Sequence, residues 1–245
     1  MELFNIEIAG VPVNIRCSHE SNHLFFNDYI SEKRSLFSIE PGPDDLKHIQ
    51  TLFCHMDEEN RLSRHDMNPV FLENIALQYL LAESLLEYNV LLMHGSALCM
   101  DGEAYVFTAP SGTGKSTYAR LWREVFGERV WMINDDKPFL KVSDDGVIVY
   151  GSPWAGKHRL HSNACAPLKA IVLLERDGNN HITPIPKAEA FPVILKQCYR
   201  SSTPAKMTSI IQLEKNILNK VELYRLGCNI EPEAAKTAWE GMNYR

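Results

Sequence analysis

Ala104-Tyr-Val-Phe-Thr-Ala-Pro-Ser-Gly-Thr-Gly-Lys-Ser-Thr117 is the stretch on which the reading of this chain turns. A run of apolar, β-prone residues breaks into a glycine-punctuated loop, and the loop ends in Lys-Ser at the head of a helical pattern reaching about Phe126. Strand, loop and helix in that order make a phosphate-binding loop. Gly112 and Gly114 let backbone N–H groups turn inward around phosphate oxygens, Lys115 supplies a point charge to the β- and γ-phosphates, and Ser116 offers a hydroxyl to Mg²⁺. The helix adds its positive N-terminal end. The residues expected to bind the nucleotide are Ser111, Gly112, Thr113, Gly114, Lys115, Ser116 and Thr117. The general pattern G-x-x-x-x-G-K-[ST] would place glycine at 109, where this chain has Ala109. A methyl group is tolerated there if the backbone stays in an ordinary region, since only the later glycines need unusual angles. The competing reading is a plain Ser-Gly-rich turn.

Downstream, Gly127 stops the helix and Val130-Trp-Met-Ile133 reads as a buried strand that delivers Asn134-Asp135-Asp136 at its carboxyl end. An acidic residue so placed beside a phosphate loop holds Mg²⁺ or its waters, and a second accepts the hydroxyl proton of a phosphoryl acceptor. Asp144-Asp145-Gly146, between alternating strands, serves as an internal control and reads as a hairpin turn. A similar solvated turn is the plainer reading of Asp135 and Asp136. Gly151 to His161 is a second glycine-punctuated loop, carrying Lys157, His158, Arg159 and His161. Such loops close over substrates and bring positive charge to a transferring phosphoryl group, with Lys157 the first candidate and Arg159 beside it. An ordinary connection with solvated basic residues is the alternative.

Upstream, Leu91-Leu-Met93 is a short apolar strand running into His94-Gly95, and Asp101-Gly102 makes a turn into the strand before the loop. Asn68-Pro69 starts a helix, with asparagine as N-cap and proline in the first turn, and Phe71, Leu72, Ile75, Ala76, Tyr79 and Leu80 recur at helical spacing. Residues 1 to 68 read as a small α+β segment. Phe4, Ile6 and Ile8, then Val11, Val13 and Ile15, alternate as strands about a turn at Gly10-Val-Pro12. His19 and His23 lack a partner at metal-ligand spacing and read as surface residues, while Cys54, His55 and His65 make only a weak case for zinc. Toward the C-terminus, Leu168–Leu174 and Val221–Leu226 read as strands and Ala188–Tyr199, Lys206–Leu218 and Glu231–Trp239 as helices, a scaffold with little chemistry of its own.

Composition narrows the function classes. A net charge of −6 over 245 residues shows no basic stripe for nucleic acid or an anionic membrane, so neither is expected as a partner. Six cysteines without a C-x-x-C pair point to reduced thiols, and no leader pattern opens the chain, so a cytoplasmic location is expected. Ile75 to Met93 is interrupted by Gln78, Glu83 and Glu87 and is a poor membrane span.

Taken in order, His94-Gly95, the loop Ser111-Gly-Thr-Gly-Lys-Ser116 and Asn134-Asp-Asp136 resemble the HPr serine kinase/phosphorylase family and its relatives, including stand-alone HPr-kinase-like proteins. That family shares a nucleotide-binding core with phosphoenolpyruvate carboxykinases. The resemblance spans roughly residues 90 to 245. It implies an α/β fold: a P-loop nucleotide-binding core with a mixed sheet over 69–245, plus the N-terminal appendage over 1–68. It implies that Lys115 and Ser116 hold nucleotide phosphates and Mg²⁺, that Asp135 and Asp136 divide metal coordination and general-base work, and that His94 sits near the γ-phosphate. Without the resemblance, His94 reads equally as a hydrogen-bonded core histidine.

The expectation is therefore an ATP- or GTP-dependent, Mg²⁺-requiring P-loop kinase. It would transfer the γ-phosphoryl group to a hydroxyl of a peptide, protein or small molecule, a serine first among them, with metal ligands Ser116 and Asp135. The rival is a nucleotide-binding interaction module that transfers nothing. Carboxykinase chemistry is disfavoured because the chain is too short for the larger substrate-binding half that it needs. Self-association into a homo-oligomer is left open.

Overall fold

The computed structural model of the chain describes residues 2–60 and 68–243, with only the backbone described over 54–60. The chain folds into two compact units, Met1–Leu85 and Leu86–Arg245, so the helix beginning at Pro69 belongs to the first. His65 lies outside the described residues, as do the side chains of Cys54 and His55, and the weak zinc reading falls there.

In the first unit, strand β1 (Glu2–Ile8) pairs antiparallel with β2 (Val11–Cys17), and β3 (Phe37–Ile39) runs parallel to β2. Strict alternation buries Ile6, Ile8, Val13 and Ile15 completely, as a one-sided sheet requires. The chain turns at Ala9-Gly10, both at positive φ (52° and 70°), earlier than the Gly10-Val-Pro12 turn expected; Pro12 lies within β2. Paired left-handed residues match the right-handed twist of the flanking strands. Helices α1 (Glu20–Phe25), α2 (Pro43–Asn60) and α3 (Pro69–Leu85) complete the unit. The side chain of Asn68 caps α3 by accepting from Phe71 N at 2.9 Å. Glu73, on α3, is 4% exposed and accepts from Ser18 N (2.6 Å), His19 N (3.2 Å) and Asn22 Nδ2 (2.7 Å), with His19 Nδ1 at 2.8 Å. It thereby serves amide groups at the head of α1 that the helix itself leaves open.

Among its described residues, the second unit is built on a nine-stranded mixed sheet. Its centre is β6 (Glu103–Thr108), flanked on one side by β5 (Ser96–Met100) and then β7 (Val130–Asn134), and on the other by β10 (Cys165–Arg176) and then β12 (Glu222–Cys228). β11 (His181–Pro184) closes the β12 edge. The hairpin of β8 (Phe139–Ser143) and β9 (Gly146–Tyr150) joins the N-terminal end of β10, and β4 (Val90–Leu92) joins β8. As expected, Asp101-Gly102 makes a hairpin turn, and the β8–β9 hairpin turns at Asp144-Asp145, with Gly146 (φ 151°) already paired to Ser143 at the head of β9.

Alternation along β6 separates two cores. Tyr105 and Phe107 pack with α4 (Lys115–Phe126) and α7 (Glu233–Asn243), while Ala104 and Val106 face α5 (Lys187–Leu195) and α6 (Pro204–Lys220). Helices thus cover both faces of the sheet. Trp122 of α4 is fully buried against Tyr105, Phe107, Phe126 and Trp239, which seats the loop helix. Burying a side chain of that size contributes roughly 3 kcal/mol. Among the described residues no helix is long and apolar enough to cross a membrane.

Candidate active site

β6, β7, β10 and β12 run parallel to one another, so their carboxyl ends share one edge of the sheet. β5 runs the other way and brings His94-Gly95, just before its start, to that same edge. Open α/β sheets carry ligands at such an edge.

The loop Ala109–Gly114 leaves β6 there. Gly112 (φ 78°) and Gly114 (φ 121°) take left-handed angles and Ala109 does not. A Cβ at either glycine would meet nothing within 4 Å, so the requirement for glycine is conformational rather than steric. Lys115 is 7% exposed, and its Nζ donates to the carbonyl of Ala109 at 2.9 Å. Burial draws its pKa down; the charge of Asp136 works against that and Lys137 adds to it. Ser111, Gly112 and Ser116 are exposed, and Thr113, Gly114 and Thr117 are half-buried. From the end of β10, Arg176 donates through Nε to Thr113 O (3.1 Å) and through Nη2 to Gly112 O (2.5 Å).

β7 delivers the carboxylates, and Asn134 frames them. Its Oδ1 accepts from Asp136 N (2.8 Å) and Lys137 N (2.6 Å), while its Nδ2 donates to Ser152 O (2.9 Å) and Trp154 O (3.2 Å). One fully buried amide therefore shapes the acidic turn and ties the Gly151–His161 loop against it. Asp135 is 3% exposed; its Oδ1 accepts from Gly156 N, and its Oδ2 is buried with no hydrogen-bond partner. Burial raises its pKa and the adjacent charge of Asp136 adds to the rise, while the backbone amides of Gly156, Leu160 and Asp135 itself oppose it. A Cβ at Gly156 would stand 3.1 Å from Oδ2, so glycine permits the approach.

Asp136 is held differently. Its Oδ1 faces His94 Nε2 at 3.2 Å and Lys137 Nζ at 3.8 Å. Burial alone would raise its pKa, but His94, Lys137 and Lys115 outweigh burial and leave it below the usual carboxylate range. His94 is itself anchored: its N–H donates to Gln197 O at 2.7 Å and its Nδ1 lies 3.1 Å from Gln197 Oε1. Gly95 N donates to Asp136 O, and the Thr108 hydroxyl donates to His94 O, so the end of β6, the histidine and the acidic turn form one bonded unit.

His94, Lys115, Asp135 and Asp136 are thus brought together from separate parts of the chain. Lys157 and Arg159 are not. Both stand exposed at the tip of their loop, where Arg159 N closes a turn onto Gly156 O and its φ is 50°. What that loop turns inward is the amide of Gly156. Among the described residues no cluster of three or more His, Cys, Asp or Glu could form an all-protein metal cage. Mg²⁺ needs less, one or two carboxylates and substrate phosphates, and the partnerless Oδ2 of Asp135 fits that role.

No family model and no curated protein matches the chain. Among solved structures, the HPr(Ser) kinase/phosphatase from Coxiella burnetii is similar over 61% of this chain and 95% of that one, at 12% identity and a TM-score of 0.34. At that score the likeness carries no argument.

Gln197 and Arg176 were not legible as site residues. Gln197 lies in the stretch read as scaffold, and no local pattern connects it to His94. Arg176 had a signal, since it closes an apolar strand at the sheet edge where ligands bind.

Proposed function

We propose that the chain is a phosphotransferase that binds Mg²⁺-ATP or Mg²⁺-GTP on the Ala109–Thr117 loop and moves the γ-phosphoryl group to a hydroxyl, a serine being the first candidate. One observation carries this reading: a glycine loop with its lysine and an unevenly partnered pair of carboxylates meet on one sheet edge, with His94 tying Asp136 to the end of the strand from which the loop springs. The loop amides and Lys115 would bind the phosphates, and Lys115 would leave the carbonyl of Ala109 to do so. Mg²⁺, held by Ser116 and Asp135, would neutralise charge on the phosphate oxygens. Asp136, oriented by His94 and through it by Gln197, would accept the proton of the attacking hydroxyl. The exposed Lys157 and Arg159 would act only if their loop closed over bound substrate.

The rival reading, a nucleotide-binding module without transfer, gains support from those two cations, since Lys157 and Arg159 stand exposed at the tip of their loop. Nucleotide titration with phosphate release separates the two. Lys115→Ala should abolish turnover while leaving the thermal melt unchanged, and Asp135→Ala and Asp136→Ala should each keep nucleotide binding and lose turnover. A folded Lys115→Ala protein with full activity would sink the phosphotransferase. Tight binding without turnover in every form, including the wild type offered serine and peptide hydroxyls, would favour the module.

A further inference from the structure

The phosphate loop has little packing to hold its shape. Ser111 and Gly112 are exposed, a Cβ at Gly112 or Gly114 would meet nothing within 4 Å, and clefts of about 500 and about 590 Å³ border the loop, both lined by Thr113 and Arg176. Its backbone direction therefore rests on hydrogen bonds. We infer that Arg176 is a positioning residue: its guanidinium, braced on the carbonyls of Gly112 and Thr113, turns the amides that follow them into the directions that bind phosphate. The inference rests on the nucleotide reading above and adds a residue that acts on the phosphates only through the loop.

Peptide geometry fixes those directions. In a planar trans peptide the carbonyl of one residue and the N–H of the next point opposite ways. Arg176 donates to Gly112 O through Nη2 (2.5 Å) and to Thr113 O through Nε (3.1 Å), so the N–H groups of Thr113 and Gly114 both face away from the guanidinium. Thr113 N is thereby turned toward Pro110 O, at 3.3 Å, which closes the turn of the loop. Gly114 N, at the N-cap of α4, is turned to the side where an anion gains both the amide and the positive end of the helix. The two peptides lie between Gly112 (φ 78°) and Gly114 (φ 121°), where the backbone has the most alternatives to lose. One planar fork across two consecutive carbonyls removes those alternatives.

The base of the fork is rigid. Arg176 ends β10 paired with Cys228 of β12, and Asp177 N donates to Cys228 O at 3.0 Å. The carboxylates beside it in sequence are engaged elsewhere, Glu175 with Arg225 (3.3 Å) and Asp177 Oδ1 with Asn179 N (2.9 Å). Lys115 and Arg176 thus have different tasks. Lys115 Nζ rests on Ala109 O (2.9 Å) and Pro110 O (3.4 Å) and gives these up to reach a phosphate. Arg176 keeps its carbonyls when the phosphates arrive, because leaving them would release the amides that it aims.

The test compares wild type, Arg176→Ala, Arg176→Lys and Lys115→Ala as full chains, by magnetic relaxation of the ligand-free loop amides and by calorimetric titration with Mg²⁺-tripolyphosphate. Position 176 is exposed, so both of its variants should keep the wild-type melt. Without ligand, the amide order parameters of Thr113 and Gly114 should fall from about 0.85 to below about 0.6 in Arg176→Ala. Tripolyphosphate should bind Arg176→Ala about tenfold more weakly or worse, because the loop must then be ordered on binding. Arg176→Lys should lose nearly as much in both measurements, since an ammonium is a point charge that does not span two carbonyls. Wild-type binding by Arg176→Lys would make position 176 a mere source of charge and overturn the proposal. So would weak binding by Arg176→Ala with an unaltered loop, which would put the guanidinium on the phosphates themselves. Tripolyphosphate that binds wild type and Lys115→Ala alike, or neither, would overturn the nucleotide reading and this role with it. Binding that depends on Lys115 but ignores position 176 would overturn the role alone.

Discussion

Glu73 in the first unit and Asp135 in the second are both carboxylates withdrawn from water, and the chain treats them in opposite ways. Glu73 is surrounded by donors from Ser18, His19 and Asn22. Burial alone would raise its pKa, but those hydrogen bonds outweigh burial and pull it below the ordinary range. Asp135 has Oδ1 hydrogen-bonded by Gly156 and Oδ2 without a hydrogen bond of good geometry, and burial raises its pKa against the neighbouring amides of Gly156 and Leu160. The contrast separates two uses of a buried charge. A carboxylate whose acceptor sites are filled by the fold is part of the fold, whereas one left half-filled at a sheet edge awaits something from outside.

The sharpest way to break that comparison is an isosteric amide at each position. Asp135→Asn keeps an oxygen for Gly156 N but loses the charge, so turnover should fall by about 10²-fold or more while stability holds or rises slightly. Glu73→Gln replaces an acceptor oxygen by a donor facing other donors. It should cost about 3 kcal/mol in urea denaturation and leave the nucleotide affinity of the folded protein unaltered. If Asp135→Asn unfolds the chain, or Glu73→Gln costs nothing, the distinction between a filled and an open carboxylate fails.

The parts of the fold set by local chemistry were legible. α4 spans Lys115–Phe126 as its amphipathic pattern implied, the Asp101-Gly102 and Asp144-Asp145-Gly146 stretches close the hairpins, and Asn68-Pro69 starts α3. Long-range pairing was not. β10 joins β9 antiparallel through Cys165–Pro167 and then runs parallel to β6 and β12, a double role with no trace in its own alternation. The same limit holds at the site. The acidic turn could be found from the apolar strand ahead of it, but which of its oxygens is filled depends on Gly156, twenty-one residues on in sequence. Lys157 and Arg159 show the converse, because charge in a glycine-rich loop reads as chemistry although the loop's inward contact is a backbone amide.

Glu214 extends the comparison to a third buried carboxyl and supplies the smallest effect. It lies on α6, fully buried beside Ile210, Leu213, Ile217 and Leu218, and among the described residues no side chain pairs with it; the backbone of Leu195 is its polar neighbour, and burial outweighs it. Burial pushes its pKa up from 4.5 to about 8, and the buried Cys198 beside it, its own pKa raised first by burial and then by Glu214, supplies no positive charge. The folded chain therefore keeps a proton at Glu214 between those two values while the unfolded chain has released it. Stability contributed by the neutral acid is complete below about 4.5 and is lost as pH rises toward about 8, the opposite sign to Glu73, whose contribution is lost as pH falls. Glu214→Gln keeps the neutral shape at every pH. Thermal melts across the window should show wild type losing ground steadily to Glu214→Gln as pH rises, by about 1 kcal/mol or more at the alkaline end. Parallel melting curves for the two proteins would mean that Glu214 finds a partner or water when it ionises, and an unfilled carboxyl in an apolar core would then cost the fold nothing.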